Sequence, residues 1–337
     1  MSLVLPRLPR GRPTSATLAA YDDDLRQFCG LILEINSTLD FQIGAREWCY
    51  LLEEHGLGKG DFDAAQEVLT ECRRRRLLPM DLVAEDGARS FDNLDDLDDD
   101  DPEAFAQTIV DYVTSAHRSY TPFSAWDGRD YYLEMVVEKL SLKSLFGPIA
   151  EEFSIPIANG KGWSDMNLRW GMLGRLRRRA AEGKHSIILY FGDHDPYGLN
   201  ISNSLRKNLA DLLTHSEWLR LMDHLTIDRF GLNYDFIQEN NLTWIDNLET
   251  GSGRSLADER HKDHKAEFVQ RYLREFGARK VEASALVKTP EASRALCREA
   301  ILKYLPDDAL GRYREALAPH REQVRAEIQR LLEEAYQ

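Results

Sequence analysis

The chain has 337 residues, a formal net charge of -14 and 43% hydrophobic residues, a length suited to two small domains or one large one with appendages. No apolar run approaches the roughly 18 residues that a membrane span needs, so an integral membrane helix is excluded. The four cysteines, Cys29, Cys49, Cys72 and Cys297, have no C-x-x-C spacing, which argues against a disulfide framework or a Cys-rich zinc site and for a reduced intracellular setting.

Residues 1–20 read as a loose basic tail, with Arg7, Arg10 and Arg12 and no apolar core of a secretory signal. Tyr21 to Asn36 carries Leu25, Phe28, Leu31, Ile32 and Ile35 at helical spacing. Ile43 to His55 predicts a second helix, closed by Gly56. Asp61 to Arg76 predicts a third: Asp61 is placed to cap it, Phe62, Ala65, Val68 and Leu69 form its apolar stripe, and Arg73, Arg74, Arg75 and Arg76 fall at its end. Leu77 to Val83 reads as short and extended. Three helices followed by a strand predict a winged-helix DNA-binding domain over 21–91. Seven of the ten residues from Asp92 to Asp101 are Asp, and Pro102 follows; self-repulsion and a helix stop mark a boundary, so 92–122 is read as an acidic linker and connecting helix.

From residue 123 the rhythm alternates. Strands are expected at Tyr131–Val137, Ile155–Ala158, Ser186–Phe191 and Leu225–Phe230, and helices at Ser141–Phe153, Asp165–Glu182 and Asn200–Leu213. That pattern predicts a parallel, helix-covered α/β sheet over 123–235. Residues 236–337 read as a mainly helical extension. Lys161 to Lys184 carries seven Lys/Arg against Asp165 and Glu182, so a polyanion could dock locally despite the net charge. His261-x-x-His264 with Asp263 could form a metal pair, but is read as part of a charged surface helix or loop.

Ligands of open α/β sheets gather at the carboxyl ends of strands. Two such ends are acidic: Val137-Glu138-Lys139, and Gly192-Asp193-His194-Asp195-Pro196-Tyr197-Gly198. In an extended segment Asp193 and Asp195 share a side. With Glu138 they would make an all-oxygen cluster suited to Mg²⁺.

These segments, with Gly160-Lys161-Gly162-Trp163-Ser164-Asp165 between them, resemble the Toprim domain. They look most like the version in the A subunit of topoisomerase VI and the related meiotic double-strand-break transesterase, of which the chain would be a short, stand-alone relative. The resemblance implies a Rossmann-like Toprim domain behind a catabolite-activator-like winged helix, with catalytic Mg²⁺ on Glu138, Asp193 and Asp195. In that family the winged helix carries a tyrosine in the pattern Arg-Asp/Glu-x-aromatic-Tyr. Arg46-Glu47-Trp48-Cys49-Tyr50 is similar, with Cys where an aromatic is common. By resemblance, Tyr50 would be the nucleophile, with Arg46 and Lys161 adding positive charge at the phosphate. Arg73 to Arg76, Lys139, Lys161 and Arg169 would contact DNA. Arg129-Asp130-Tyr131-Tyr132 spells the pattern more faithfully, but it opens the first strand and is read as sheet. Lys280-Val281-Glu282-Ala283-x-Ala285-Leu286 is a further family-like element without an assigned role.

The function implied is Mg²⁺-dependent DNA cleavage through a 5′-phosphotyrosyl link, with rejoining open, by a nucleoid-associated cytoplasmic homodimer on double-stranded DNA. No P-loop is present, so an ATPase subunit, if coupled, would be a separate chain. Two alternatives stay open. One is a Toprim nuclease of the plasmid-defence type that activates water; the other is a non-catalytic DNA-binding protein.

Overall fold

The computed structural model describes residues 3, 5–9, 11, 13–84, 101–160, 166–250, 254–306 and 308–335. Met1–Asp86 with Tyr131–Ala300 forms one compact unit, and Gly87–Asp130 with Ile301–Gln337 a second. The N-terminal helices and the sheet therefore belong to one contact unit, across the boundary expected at the acidic stretch. The acidic residues 92–100 lie outside the described residues.

The first unit opens with α1 (Ser15–Asn36), α2 (Ala45–Glu53) and α3 (Phe62–Arg74). Thr14 caps α1 by accepting the Thr17 N–H at 3.3 Å, and α1 buries Tyr21, Leu25, Phe28, Cys29 and Ile32. Asp61 occupies the cap position of α3 without a side-chain bond. The strand expected over Leu77–Val83 is instead a turn followed by a 3₁₀ segment, Met80–Leu82. The end of α3 consumes that stretch. Arg76 sits at a positive φ of 58°, the Cys72 carbonyl accepts the Leu77 N–H at 2.9 Å, and the Trp48 indole donates to the Leu82 carbonyl at 3.3 Å. No strand precedes Tyr131 among the described residues, so a three-helix unit is present and a wing is not seen there.

α4 (Pro102–Ser115) belongs to the second unit. The sheet follows: β1 (Tyr131–Val137), α5 (Leu140–Glu152), β2 (Ile157–Asn159), α6 (Met166–Ala181), β3 (His185–Phe191), α7 (Pro196–Leu199), α8 (Ile201–Ala210), α9 (His215–Met222) and β4 (Leu225–Gly231). All pairings are parallel, in the order β2-β1-β3-β4. This is the Rossmann-like α/β arrangement expected from the alternation. β1 and β3 are buried along nearly their whole length, as parallel strands covered on both faces must be. One face packs Tyr132, Val136, Ile188 and Tyr190 against Met172, Leu173 and Leu176 of α6 and Leu205 and Leu209 of α8. On α5, Phe146 meets Phe191 at 5.4 Å and Phe230 at 6.0 Å.

One charged side chain interrupts this core. Glu134, in the middle of β1, is 2% exposed. Its carboxylate accepts from Arg175 Nε and Nη2 at 2.7 and 2.9 Å and from the Tyr132 hydroxyl at 2.8 Å. An uncompensated buried carboxylate costs more than the pair contributes. Arg175→Met is therefore expected to destabilise the unit by about 3 kcal/mol, read as a lower midpoint in urea unfolding; an unchanged midpoint would refute the clamp.

α10 (Tyr234–Glu239), α11 (Glu267–Phe276) and α12 (Pro290–Leu302) follow. Between α11 and α12 the chain makes two isolated bridges outside the sheet. Lys280 bridges Ile245 and Val281 bridges His194, both antiparallel, before a 3₁₀ segment, Ala283–Lys288. The long α13 (Ala309–Ala335) lies in the second unit, where the Tyr313 hydroxyl donates to the Phe123 carbonyl at 3.1 Å and Arg321 to that of Tyr120. No helix among the described residues is long and apolar enough to cross a membrane.

Candidate functional site

β1 and β3 are neighbours in register, Val137 opposite Phe191, so Glu138 and Asp193 leave the sheet side by side. The Glu138 carboxylate accepts the Asp193 N–H at 2.8 Å. A side chain at Gly192 would collide with it, since a Cβ there would lie 2.5 Å from Glu138 Oε2. The Lys139 ammonium lies 3.1 Å from Asp193 Oδ2 and 3.6 Å from Glu138 Oε1. The other Asp193 oxygen accepts the Ala283 N–H at 2.7 Å. Asp195 caps α7, accepting the Gly198 N–H at 2.6 Å. A Cβ at Gly198 would stand 2.0 Å from the Asp193 carbonyl oxygen, so glycine is what lets the turn close.

Asp193 is 7% exposed. Burial raises its pKa above the ordinary carboxylate range, and Glu138 adds to the rise against the pull of Lys139. Burial, then the neighbouring Asp193 charge, also raises Asp195. Lys139 is held protonated: Asp193 and Glu138 together outweigh its desolvation. Asp193 thus feels Glu138, and Asp195 feels Asp193, where burial weakens solvent screening.

Arg229 of β4 ties the turn from beneath, donating to the carbonyls of Gly198 (2.9 Å), Asp193 (3.1 Å) and Leu232 (2.8 Å). His194, between the two aspartates, points away from them. Its backbone pairs with Val281, and its ring lies among Tyr272, Trp244 and Phe276, with Nδ1 3.1 Å from the Tyr272 hydroxyl.

The expected three-carboxylate coordination sphere is not assembled: among the described residues no group of three His, Cys, Asp or Glu side chains is arranged to hold a metal. The reason is local. Asp193 spends its oxygens on the Ala283 N–H and Lys139, and Asp195 spends one on Gly198. A cation nonetheless stands between Glu138 and Asp193, in the form of the Lys139 ammonium. Two of the three acids thus share one positive charge.

Tyr50 and Arg46 come to the edge of the same cluster within one chain. Tyr50 is fully buried, its ring edge-on to Phe62 at 5.1 Å and beneath the Lys59 ammonium at 4.2 Å. Its hydroxyl donates to Glu282 Oε2 at 2.9 Å. Arg46 grips the same carboxylate with Nε at 2.6 Å and Nη2 at 3.0 Å, and Lys280 stands 3.3 Å from it. Burial first, then the Glu282 charge, pushes the Tyr50 phenol far above its ordinary value. Glu282 moves the other way. Arg46 and Lys280 overcome its desolvation and bring it down to about 2.

Of the other expected site residues, Lys161 lies outside the described residues, as do 162–165. Arg73 turns its guanidinium to the Met80 carbonyl. Arg74 pairs with Glu71, and Arg75 with Glu71 and Asp22. Arg169 donates to the Asn208 carbonyl at 2.9 Å. Exposed pairs such as those of Arg74 and Arg75 are worth little. Tyr131 and Tyr132 are sheet residues, as read. His261 meets Thr250 and the Asp263 N–H, and His264 the Leu256 carbonyl and Gln270, so both rings serve the local fold.

Glu282 and Arg229 had no assigned role in the sequence. For Glu282 the signal was a lone charged residue in the mostly apolar stretch Val281 to Val287; Arg229, beside Asp228 in the β4 segment, carried no comparable signal. No family model, curated protein or solved structure matches the chain.

Proposed function

We propose that this protein is a Mg²⁺-dependent DNA-cleaving enzyme acting at the strand-end cluster Glu138, Asp193 and Asp195. The observation that carries the reading is the pair of carboxylates delivered by adjacent parallel strands with an ammonium already between them. A Mg²⁺ taken up by Glu138 and Asp193 in place of the Lys139 ammonium would neutralise phosphate oxygens and stabilise an in-line displacement. Lys139 swings aside to a phosphate oxygen when its carboxylates are engaged, and Arg229 keeps the Asp193–Gly198 turn fixed. A homodimer would present two such clusters to the two strands, and an ATPase chain is compatible with the reading without being required by it.

Two nucleophiles fit. In transesterification the Tyr50 oxygen bonds to phosphorus, the P–O3′ bond breaks, the phenolic proton is lost and a 3′-hydroxyl departs. In hydrolysis water takes that place. The burial of Tyr50 and its bond to Glu282 favour water in this closed arrangement, because a phenol with a raised pKa beside a weak base is not activated. Transesterification requires α2 to leave Glu282.

Incubation with supercoiled plasmid and Mg²⁺, followed by denaturant with and without protease, tests the proposal. Scission is expected. Tyr50→Phe should retain it if water attacks, whereas loss of a denaturant-resistant protein–DNA adduct in that variant would assign Tyr50. DNA retention with no scission under any condition would leave a non-catalytic binding protein and refute the enzyme.

A further inference from the structure

Helix α2 touches the carboxylate cluster through a second layer of contacts that its nucleophile pattern does not explain. Three of its side chains converge on the residues flanking Ala283. Arg46 and Tyr50 hold Glu282, and Glu47 Oε1 accepts the Ser284 hydroxyl at 2.7 Å. Ala283 itself supplies the N–H that fixes Asp193 Oδ1. The same Glu47 oxygen accepts the Ser141 hydroxyl at 2.8 Å, and Ser141 lies three residues beyond Glu138 in the first turn of α5. Glu47 is 7% exposed and Ser141 and Ser284 are buried with it. One carboxylate thus ties the start of α5, just beyond Glu138, to the turn whose Ala283 N–H holds Asp193.

We propose that Glu47 is a positioning residue of the strand-end cluster, and that α2 acts as a clamp setting the spacing of Glu138 and Asp193 for a divalent cation. The inference rests on the proposed metal site but concerns different residues. Cation ligands depend on the groups that orient them, because a carboxylate free to rotate forfeits the geometry a hard ion requires. Glu47 and Ser141 fix the start of α5, which follows Lys139 directly. Glu47, Arg46 and Tyr50 fix the 282–284 turn, which aims the Ala283 N–H. Two buried serine hydroxyls share one acceptor, so its removal leaves both without their partner.

The full chain is titrated calorimetrically with Mn²⁺ alone, and exchange of the Ala283 amide is followed in the metal-free protein. Glu47→Ala is expected to weaken Mn²⁺ binding by about tenfold or more and to accelerate Ala283 exchange. Glu47→Gln keeps an acceptor oxygen at the same reach and should bind as wild type does. Ser284→Ala, a smaller lesion that keeps Glu47 buried, provides the same readout should Glu47→Ala fail to fold. Wild-type affinity and wild-type exchange in a folded Glu47→Ala or Ser284→Ala variant would overturn the clamp. If the wild type binds no Mn²⁺, the proposed metal site fails instead, and the amide exchange still decides whether Glu47 orders Ala283.

Discussion

Asp193→Asn is expected to reduce Mg²⁺-dependent plasmid scission by at least about 100-fold, the upper end of what even an outer-shell change costs a metal site, while leaving the thermal midpoint at or above that of the wild type. The two effects have one cause. Burial makes the ionised form of Asp193 unfavourable in the folded chain, so deleting its charge removes a cost of folding. Asparagine keeps the shape, and its oxygen can still accept the Ala283 N–H that Asp193 Oδ1 receives at 2.7 Å. What it cannot do is balance Lys139 or ligate a hard cation. The ammonium now 3.1 Å from Oδ2 keeps Glu138, at 3.6 Å, as its counter-charge. Activity lost with stability retained or gained is the mark of a residue kept for function. The check is initial nicking rate beside a calorimetric melt, and undiminished scission by Asp193→Asn would remove Asp193 from the metal site. A melt far below wild type would instead assign Asp193 a structural role.

The parallel sheet was legible in the sequence because buried strands have an unambiguous composition. Tyr131–Val137 begins and ends where the apolar run does, and β3 differs from expectation by one residue. The strand-end acids were legible for the same reason. Once β1 and β3 are neighbours, Glu138 and Asp193 have nowhere else to be. Local closure was harder to read. Leu77 to Val83 has the residues of a strand, yet the helix end before it takes the Leu77 N–H, and a chain closing a helix cannot also enter a ladder. The missed helix α9 carries a full capping box, Thr214 with Glu217, a signal present in the sequence but not used.

Partners distant along the chain were not legible at all. Arg46 and Glu282 stand 236 positions apart, and no periodicity relates them. Spacing could place Arg46, Glu47 and Tyr50 on one helix, but not reveal that all three are spent on the turn around Ala283. That is why the sequence could not show that Tyr50, the nucleophile the resemblance implies, is sealed.

The strength of that seal can be measured by acid. Glu282 ionises in the folded chain at about 2 against an ordinary 4.5. Its own desolvation opposes this, and the Arg46 fork, the Arg46 and Lys280 charges and the Tyr50 hydroxyl together prevail. Between those two values the unfolded chain binds the extra proton, so the contribution to stability is complete above 4.5, shrinks as the pH falls and is gone below about 2. Its size is roughly 3 kcal/mol. Asp193 works in the opposite sense, because its raised pKa makes acid favourable to the fold, so the wild-type curve alone mixes the two. The difference between wild type and Glu282→Gln isolates the clamp. It should be largest near neutrality and close as the pH is lowered, in urea unfolding at a series of pH values. A difference independent of pH would mean that Arg46 and Tyr50 do not hold an ionised Glu282. In that case Tyr50 would need no release from Glu282 to act, and transesterification would become the stronger of the two mechanisms.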